Sequence, residues 1–576
     1  MTARPDRRPA APLPAPTAAA RRPWAAAWIV VAFLAATLPS LHDRPVTKAA
    51  EARAWVVARG MATTGDLLVP VYQGEPRLKK PPLQSWVQAG LMSALGDASA
   101  WVAGLGTVLV GLLFALAPWW LGKALGAESA GFVGALLLAG SRATLTWGGS
   151  PEHDVPFAAW TGLAFVGLAR ACAPDGRLRH VAASGLACGL ALLTKDPFAP
   201  AFVAGTALVL QVRARRVAPG PAVAWWGLFL LGTLLPIGAW VAALAVRLGS
   251  VGALFDEALR QASGAGGAHT KGFLAGLVYH LGTLPKTALP WSPVVLGLVA
   301  AFAVRGRRDP AARAALVDAP RFAAVATLVC LVVLTLTPAK QEHYVLPALV
   351  PAALLAGHVV LRAARRAPGG ARTVGAVLVG AAAAYAIARV VGARADLGAV
   401  DLAGPARYGA ALVAVAGLLV VATPRLPVLA SSAVLAAVLL GLGQVADVAR
   451  DGETEDLRDA VYEATVAPGG AALGELVVPG PARLPATRTL LGFEEGGGEA
   501  FDTLVAWQDA PYVRVRTLDD LRARITADPK ALVVVRATSA GRIAPLLDRL
   551  RPLGTLAPRR PGSDRDRYYL YAADEP

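Results

Sequence analysis

From Trp24 to Leu41 the chain runs without a single charged residue, and apolar stretches of this kind recur along most of its length. A helix needs roughly 20 apolar residues to cross a hydrocarbon core about 30 Å thick, since each residue advances it by about 1.5 Å. Lipid offers no water to backbone amides, so a spanning segment must bond its own N–H and C=O groups. Further apolar segments lie near 99–122, 127–146, 155–174, 180–195, 197–212, 222–246, 288–304, 321–337, 343–361, 372–392, 407–422 and 427–447. With the first they predict a polytopic α-helical membrane protein of about 13 transmembrane helices. Composition agrees, with 55% hydrophobic and 16% charged residues, against about 25% charged in soluble domains.

Lys and Arg collect in cytoplasmic loops. An inside N-terminus assigns to the cytoplasm the loops with Arg177/Arg179, Arg213/Arg215/Arg216, Arg305/Arg307/Arg308/Arg313 and Arg362/Arg365/Arg366/Arg372. The net charge of +17 is therefore a topology signal, and the scattering of the arginines excludes a nucleic-acid surface. Residues 1–23 read as a disordered Pro/Ala/Arg tail in the cytoplasm. Residues 451–576 turn polar, with strand-like runs at 476–479, 531–535 and 568–572 and helix-like ones at 518–526 and 542–550. Thr517 with Asp520 reads as a capping box. An odd number of spans puts this soluble α/β domain outside the membrane. Cys172, Cys188 and Cys330 lack metal spacing and read as small packing residues.

One outer loop breaks the charge rule. After the first span come Arg53, Arg59, Arg77, Lys79 and Lys80. Thr47 suits the N-cap of a helix running to about Met61. On it Glu51 and Arg53 project about 200° apart. Val69–Tyr72 reads as extended. Pro81 and Pro82 then suit a helix start, with Leu83, Trp86, Val87, Leu91 and Leu95 as its apolar stripe and Gln84, Gln88 and Ser93 off it. That helix is too short to span and is expected to lie in the interface. Lys80 precedes its N-terminus, where free N–H groups already favour an anion such as a lipid phosphate.

The same face is expected to gather Glu152, His153 and Asp154 from the loop GGSPEHD, Lys195 and Asp196 from a helix end, and His269 and Lys271 from a long loop at 249–287. Lys340, Glu342, His343 and Tyr344 join them from another turn. Trp86 and Trp291 read as interface anchors.

These residues resemble the bacterial GT-C glycosyltransferases of the protein mannosyltransferase-like group, which includes the aminoarabinose transferases of lipid A. The likeness rests on Glu51-x-Arg53, Met61, Gly65-Asp66, Val69-Pro70, Gly74-Glu75-Pro76 and Lys80-Pro81-Pro82-Leu83 with Trp86. His153-Asp154-Val155-Pro156, Leu193-Thr194-Lys195-Asp196-Pro197, Pro290-Trp291-Ser292 and His343-Tyr344-x-x-Pro347 follow in order, so the resemblance covers roughly 24–360. It implies a multi-pass protein of the bacterial inner membrane, with a glycosyltransferase-like domain at 24–450 and an outer catalytic loop at 43–98. The implied donor is a polyprenyl-phosphate sugar bound from the bilayer, and the acceptor a lipid, protein or envelope glycan.

On that reading Glu51 is the base and Asp154 orients a hydroxyl. Lys80, Lys195, Lys340 and Arg53 meet the donor phosphate, while His153, His269, His343 and Tyr344 contact substrate. No cofactor is assigned; a divalent metal stays open but is not supported by the residues. The chain departs from the family pattern at Ala50, where an Asp is usual, at Lys79, where an acid often stands, and at Asp196, where Gly is usual. A flippase or transporter of lipid-linked sugars, or an impaired scaffold, are the rival readings. Transporters place ionisable groups at mid-membrane, whereas here charge collects at one face.

Overall fold

A computed structural model describes residues 24–38, 49–72, 75–173, 175–214, 222–249, 272–308, 318–337, 340–366 and 370–393, isolated residues 41 and 252, and short pieces between 490 and 573. Helices α1 (Trp24–Thr37) and α2 (Ala49–Thr64) lead into a hairpin of β1 (Val71–Tyr72) and β2 (Glu75–Pro76), which pair antiparallel. Then come α3 (Leu83–Leu95), α4 (Ala100–Ala124), α5 (Glu128–Ala139), α6 (Arg142–Trp147), α7 (Asp154–Ala171) and α8 (Leu178–Leu192). The helical part continues with α9 (Phe198–Ala214), α10 (Ala222–Leu248), α11 (Phe273–Thr287), α12 (Ser292–Arg308), α13 (Asp318–Leu336), α14 (Leu346–Arg366) and α15 (Gly370–Ala393).

Every apolar segment read from the sequence up to residue 392 falls on one or two of these helices; those at 407–422 and 427–447 lie outside the described residues. Among the described residues four helices are long and apolar enough to cross a membrane, and α11 with α12, bent by 109°, makes a fifth if counted as one span. The stretch 249–287, read as one long loop, instead contains α11. His280, Lys286 and Pro285 interrupt its apolar run, which hid it. The fold accommodates its polar groups by bonds to backbone carbonyls: His280 Nε2 lies 3.2 Å from Leu334 O on α13, and Thr283 Oγ1 donates to Tyr279 O within the helix at 2.7 Å.

Helix α3 turns its polar side to the protein and leaves its apolar stripe the more exposed. Gln84, Ser85 and Gln88 are buried with Ala89 and Met92, while Leu95 is exposed and Leu83, Trp86, Val87 and Leu91 are half-buried. In water an apolar stripe faces the protein; beside lipid the polar side chains seek protein partners and the apolar ones face hydrocarbon. Gln84 Nε2 donates to Thr107 Oγ1 at 3.1 Å, and Gln88 Nε2 to Ala103 O at 3.2 Å and Pro151 O at 2.8 Å. Trp291 also departs from expectation: it is buried against Val133, Leu145, Val360 and Leu378 rather than standing at an interface.

Between residues 490 and 573 lie β3 (Leu490–Phe493), β4 (Tyr512–Val515), α16 (Leu518–Ala527), β5 (Leu532–Arg536), β6 (Leu550–Leu556) and β7 (Tyr568–Ala573). They form a sheet of order β4-β3-β5-β7-β6, with β3 parallel to β4 and β5 and with β7 antiparallel to β5 and β6. Thr517 Oγ1 accepts from Asp520 N at 3.2 Å, as its capping spacing predicts. Leu550, read as the end of a helix, opens β6 instead, because its strand finds a partner in β7 with a bulge between Pro552 and Gly554. The expected strand at 476–479 lies outside the described residues.

Helix α5 lies against α14 through backbone contact. A Cβ added at Gly357 would stand 2.1 Å from Ala130 O, and one at Gly134 2.2 Å from Ala353 O. Small residues let lipid-embedded helices approach this closely, where dispersion rather than water drives association. Gly134→Val and Gly357→Val are each expected to destabilise by about 1–3 kcal/mol or more, since backbone cannot yield as a side chain can. Thermal unfolding in detergent checks this, and unchanged melting in both variants would refute the tight crossing.

Candidate active site

The site assembles where several helix ends meet. Helix α2 carries Glu51 on its buried side, fully excluded from solvent, with Ala52, Trp55 and Ala58. Arg53, two positions on, is half-buried. Glu51 Oε1 accepts from Ser150 Oγ at 2.8 Å, so the base expected from the sequence is tied to the α6–α7 connector. The Gln88 bond to Pro151 O fixes that connector from α3. Trp86 Nε1 donates to Leu67 O at 2.5 Å, binding α3 to the chain before the hairpin. Leu83 N donates to Leu193 O at 3.0 Å and thereby joins the start of α3 to the end of α8. Lys80, three residues ahead of Leu83, is carried to the α8–α9 turn.

There the charges alternate. Lys80 Nζ lies 3.0 Å from Asp196 Oδ1, and Lys195 Nζ lies 3.7 Å from Asp196 Oδ2 and 2.5 Å from Asp154 Oδ1. His343 Nε2 stands 3.5 Å from the same Asp154 oxygen. Lys195 also lies over the Tyr344 ring, 4.9 Å from its centroid. The ring edges of Trp147 and Tyr344 flank His343 at centroid distances of 6.4 and 5.0 Å. Lys195 and Asp154 are 8% and 5% exposed, so each charge depends on its partner.

Burial works against a charged Asp196, but Lys80 and Lys195 outweigh it and hold the carboxyl below its usual range. Burial lowers the Lys80 ammonium, with Asp196 opposing. His153, the residue before α7, is buried, and burial with the nearby Lys80 pushes it down to about 3. It is therefore a neutral imidazole at ordinary pH, and its Nε2 has no hydrogen-bond partner among the described residues.

Other expected residues go elsewhere. Lys340 Nζ donates to Leu334 O at 2.8 Å, to Thr335 O at 2.9 Å and to Thr337 O. It caps the C-terminal end of α13, where free carbonyls and the dipole attract a cation, rather than joining the lysines at Asp196. Glu342 pairs with Arg142 at 3.1 Å and with Lys286. His269 lies outside the described residues.

Glu152, Asp154 and His343 bring ligand atoms within 4.8 Å of one another, a donor set of the kind divalent metals take. Lys195 already supplies positive charge at Asp154, so a metal there would compete with an ammonium. Sequence reasoning marked Asp196 as a neighbour able to neutralise Lys195 but not as the partner of Lys80. It did not place Ser150 or Gln88 among the working residues, because their partners are distant in the chain.

Three comparisons bear on this arrangement. Residues 79–249, which contain Lys80, Asp154 and Lys195, match the family described as dolichyl-phosphate-mannose-protein mannosyltransferase. The undecaprenyl phosphate-alpha-4-amino-4-deoxy-L-arabinose arabinosyl transferase of Pseudomonas aeruginosa (strain LESB58) is 27% identical over 227 residues, which is 38% of each chain. The chain thus spans about 38% of the length of the curated relatives it matches. The crystal structure of ArnT from Cupriavidus metallidurans bound to undecaprenyl phosphate is similar with a TM-score of 0.66 at 20% identity, over 96% of this chain and 99% of that one. The apo state of the same protein gives 0.67 at 19% identity. The chain thus shares the fold of that protein almost end to end and, over 79–249, is similar to the protein mannosyltransferase family, with the matching motif positions drawn together at one cluster of helix ends.

Proposed function

We propose that the protein transfers a sugar from a polyprenyl-phosphate donor to an acceptor at the outer face of the bacterial inner membrane. The observation that carries this reading is the largely shielded run Lys80–Asp196–Lys195–Asp154, with the Glu51–Ser150 pair on the connector that leads into Asp154. Two lysines suit the charge that develops when the anomeric carbon–oxygen bond breaks and the lipid phosphate keeps the oxygen. A carboxylate then takes the acceptor hydroxyl's proton. Glu51 fills that role, held in one orientation by Ser150, and Asp154 steers Lys195. Arg53, His153, His343 and Tyr344 line the approach of the sugar and phosphate. The fold shared with a protein solved with undecaprenyl phosphate supports the donor class. The acceptor is a lipid, a protein or an envelope glycan.

The direction of the helices supports the topology. The N-terminal ends of α7, α9 and α14 and the C-terminal end of α8 lie next to Asp154, Asp196, His343 and Lys195 in the chain. Their opposite ends carry or adjoin Arg170, Arg213, Arg366 and Arg177. Arginines favour the cytoplasmic side, in keeping with a proposed topology that has the site outside, the N-terminus inside and, with about 13 spans, the C-terminal α/β domain outside. The domain limits 24–450 and 451–576 belong to the same proposal.

Glu51→Gln is expected to lower kcat roughly 10²–10⁴-fold with the donor KM little changed, because it removes the base and leaves the lysines. Lys80→Ala should raise the donor KM roughly 10–100-fold. Purified protein in lipid, supplied with radiolabelled polyprenyl-phosphate sugars and an envelope extract, provides the assay. Full transfer by Glu51→Gln would move the base elsewhere, and no transfer from any donor by the folded wild type would remove the proposal.

The electrostatics give a second expectation. His153 is neutral when folded, with its value at about 3, and takes up a proton when unfolded near its ordinary 6.5. Its contribution is therefore lost as pH falls below 6.5, by about 2 kcal/mol between pH 6.5 and 5. Asp196 adds a loss of the same sign at lower pH, as the medium falls through its depressed folded value. His153→Gln should flatten the fall in melting temperature between pH 6.5 and 5; an equal slope in variant and wild type would show that His153 titrates normally.

A further inference from the structure

We propose that Asp196 is an internal competitor for the donor's phosphate: it holds Lys80 and Lys195, gives way when a polyprenyl phosphate binds, and returns to Lys80 to speed release of the spent carrier. The inference rests on the reading of the site given above and adds to it a residue that sets how tightly the carrier is held.

The geometry is specific. Asp196 presents one carboxylate oxygen to each lysine, Oδ1 to Lys80 at 3.0 Å and Oδ2 to Lys195 at 3.7 Å. Asp154 meets Lys195 from the other side at 2.5 Å. Two ammonium groups thus face two carboxylates, and the neutral His153 adds no charge. Neither lysine offers net positive charge to an arriving phosphate until a carboxylate yields.

The arrangement also indicates which carboxylate yields. The Lys195 side chain is 7% exposed and doubly paired, whereas the Lys80 side chain is 25% exposed and has Asp196 as its one salt-bridge partner among the described residues. A phosphate arriving along the surface reaches Lys80 first and competes with Asp196 there. Asp196 sits in the short α8–α9 turn, between Leu192 and Phe198, so its carboxylate can swing without moving a helix.

The chemistry gives the competitor a use. In the donor the phosphate is a diester with one negative charge. When the anomeric carbon–oxygen bond breaks, the carrier leaves as a monoester, which holds up to two charges because its second pKa lies near 6. Cations that bind the donor bind this product more tightly, so lysines alone would retain it. A carboxylate competing for the same ammonium weakens both complexes and shortens the life of the product complex.

Native mass spectrometry of the full-length protein with undecaprenyl phosphate, in detergent, tests the idea. Asp196→Asn and Asp196→Gly are expected to bind roughly 10–100-fold more tightly than wild type, and Asp196→Glu about as wild type. On a Lys80→Ala background the gain from Asp196→Asn should vanish, which separates competition at one ammonium from a general change of charge. The glycine variant keeps the test open if the asparagine variant does not fold. Binding by wild type with no gain in either neutral variant would overturn the competitor and leave the proposed function standing. A gain that persists without Lys80 would overturn it likewise. Failure of wild type and every monodisperse variant to bind would overturn both readings.

Discussion

The alternating row Lys80–Asp196–Lys195–Asp154 is the constraint around which the candidate site is organised. Buried charges are costly unless each meets an opposite charge, and the removal of one partner leaves the next uncompensated. The row therefore fixes at once the positions of the loop before α3, the α8–α9 turn and the start of α7, with His343 adding the turn before α14. Backbone bonding serves the same end, since the Leu83–Leu193 contact aligns Lys80 with Asp196 before their side chains meet.

The helices beneath this row supply the rigidity it needs. Close backbone crossings through Gly134 and Gly357, and through Gly185 against Phe229 O, leave little freedom for helix ends to drift. Polar side chains that would be solvated in a soluble protein serve here as connectors. Gln88 joins α3, α4 and the α6–α7 connector, and Ser150 on that connector orients Glu51. Lipid-facing helices thus hold a polar site at one end without carrying charge through their centres.

The departures from the group's pattern acquire a physical meaning in this setting. At Ala50 the helix offers no carboxylate, and Glu51 next to it faces the buried connector instead. At Asp196 an added carboxylate is absorbed into an ion-pair row that would otherwise hold two cations against one anion.

The sequence by itself determined where the apolar helices lie up to residue 392 and the candidacy of Glu51, Lys80, Asp154 and Lys195. These follow from run length, charge asymmetry and local motifs, all of which are properties of neighbouring residues. Tertiary structure decided what depends on distant partners. It turned Gln84 and Gln88 inward, because α3 meets protein on its polar side. It placed Lys340 on the carbonyls ending α13, and revealed α11 within a stretch too polar to read as a span. It also gave Asp196 to Lys80, 116 positions away, more closely than to its neighbour Lys195. A residue's composition and spacing fix which face of a helix it occupies, but only packing fixes what that face meets.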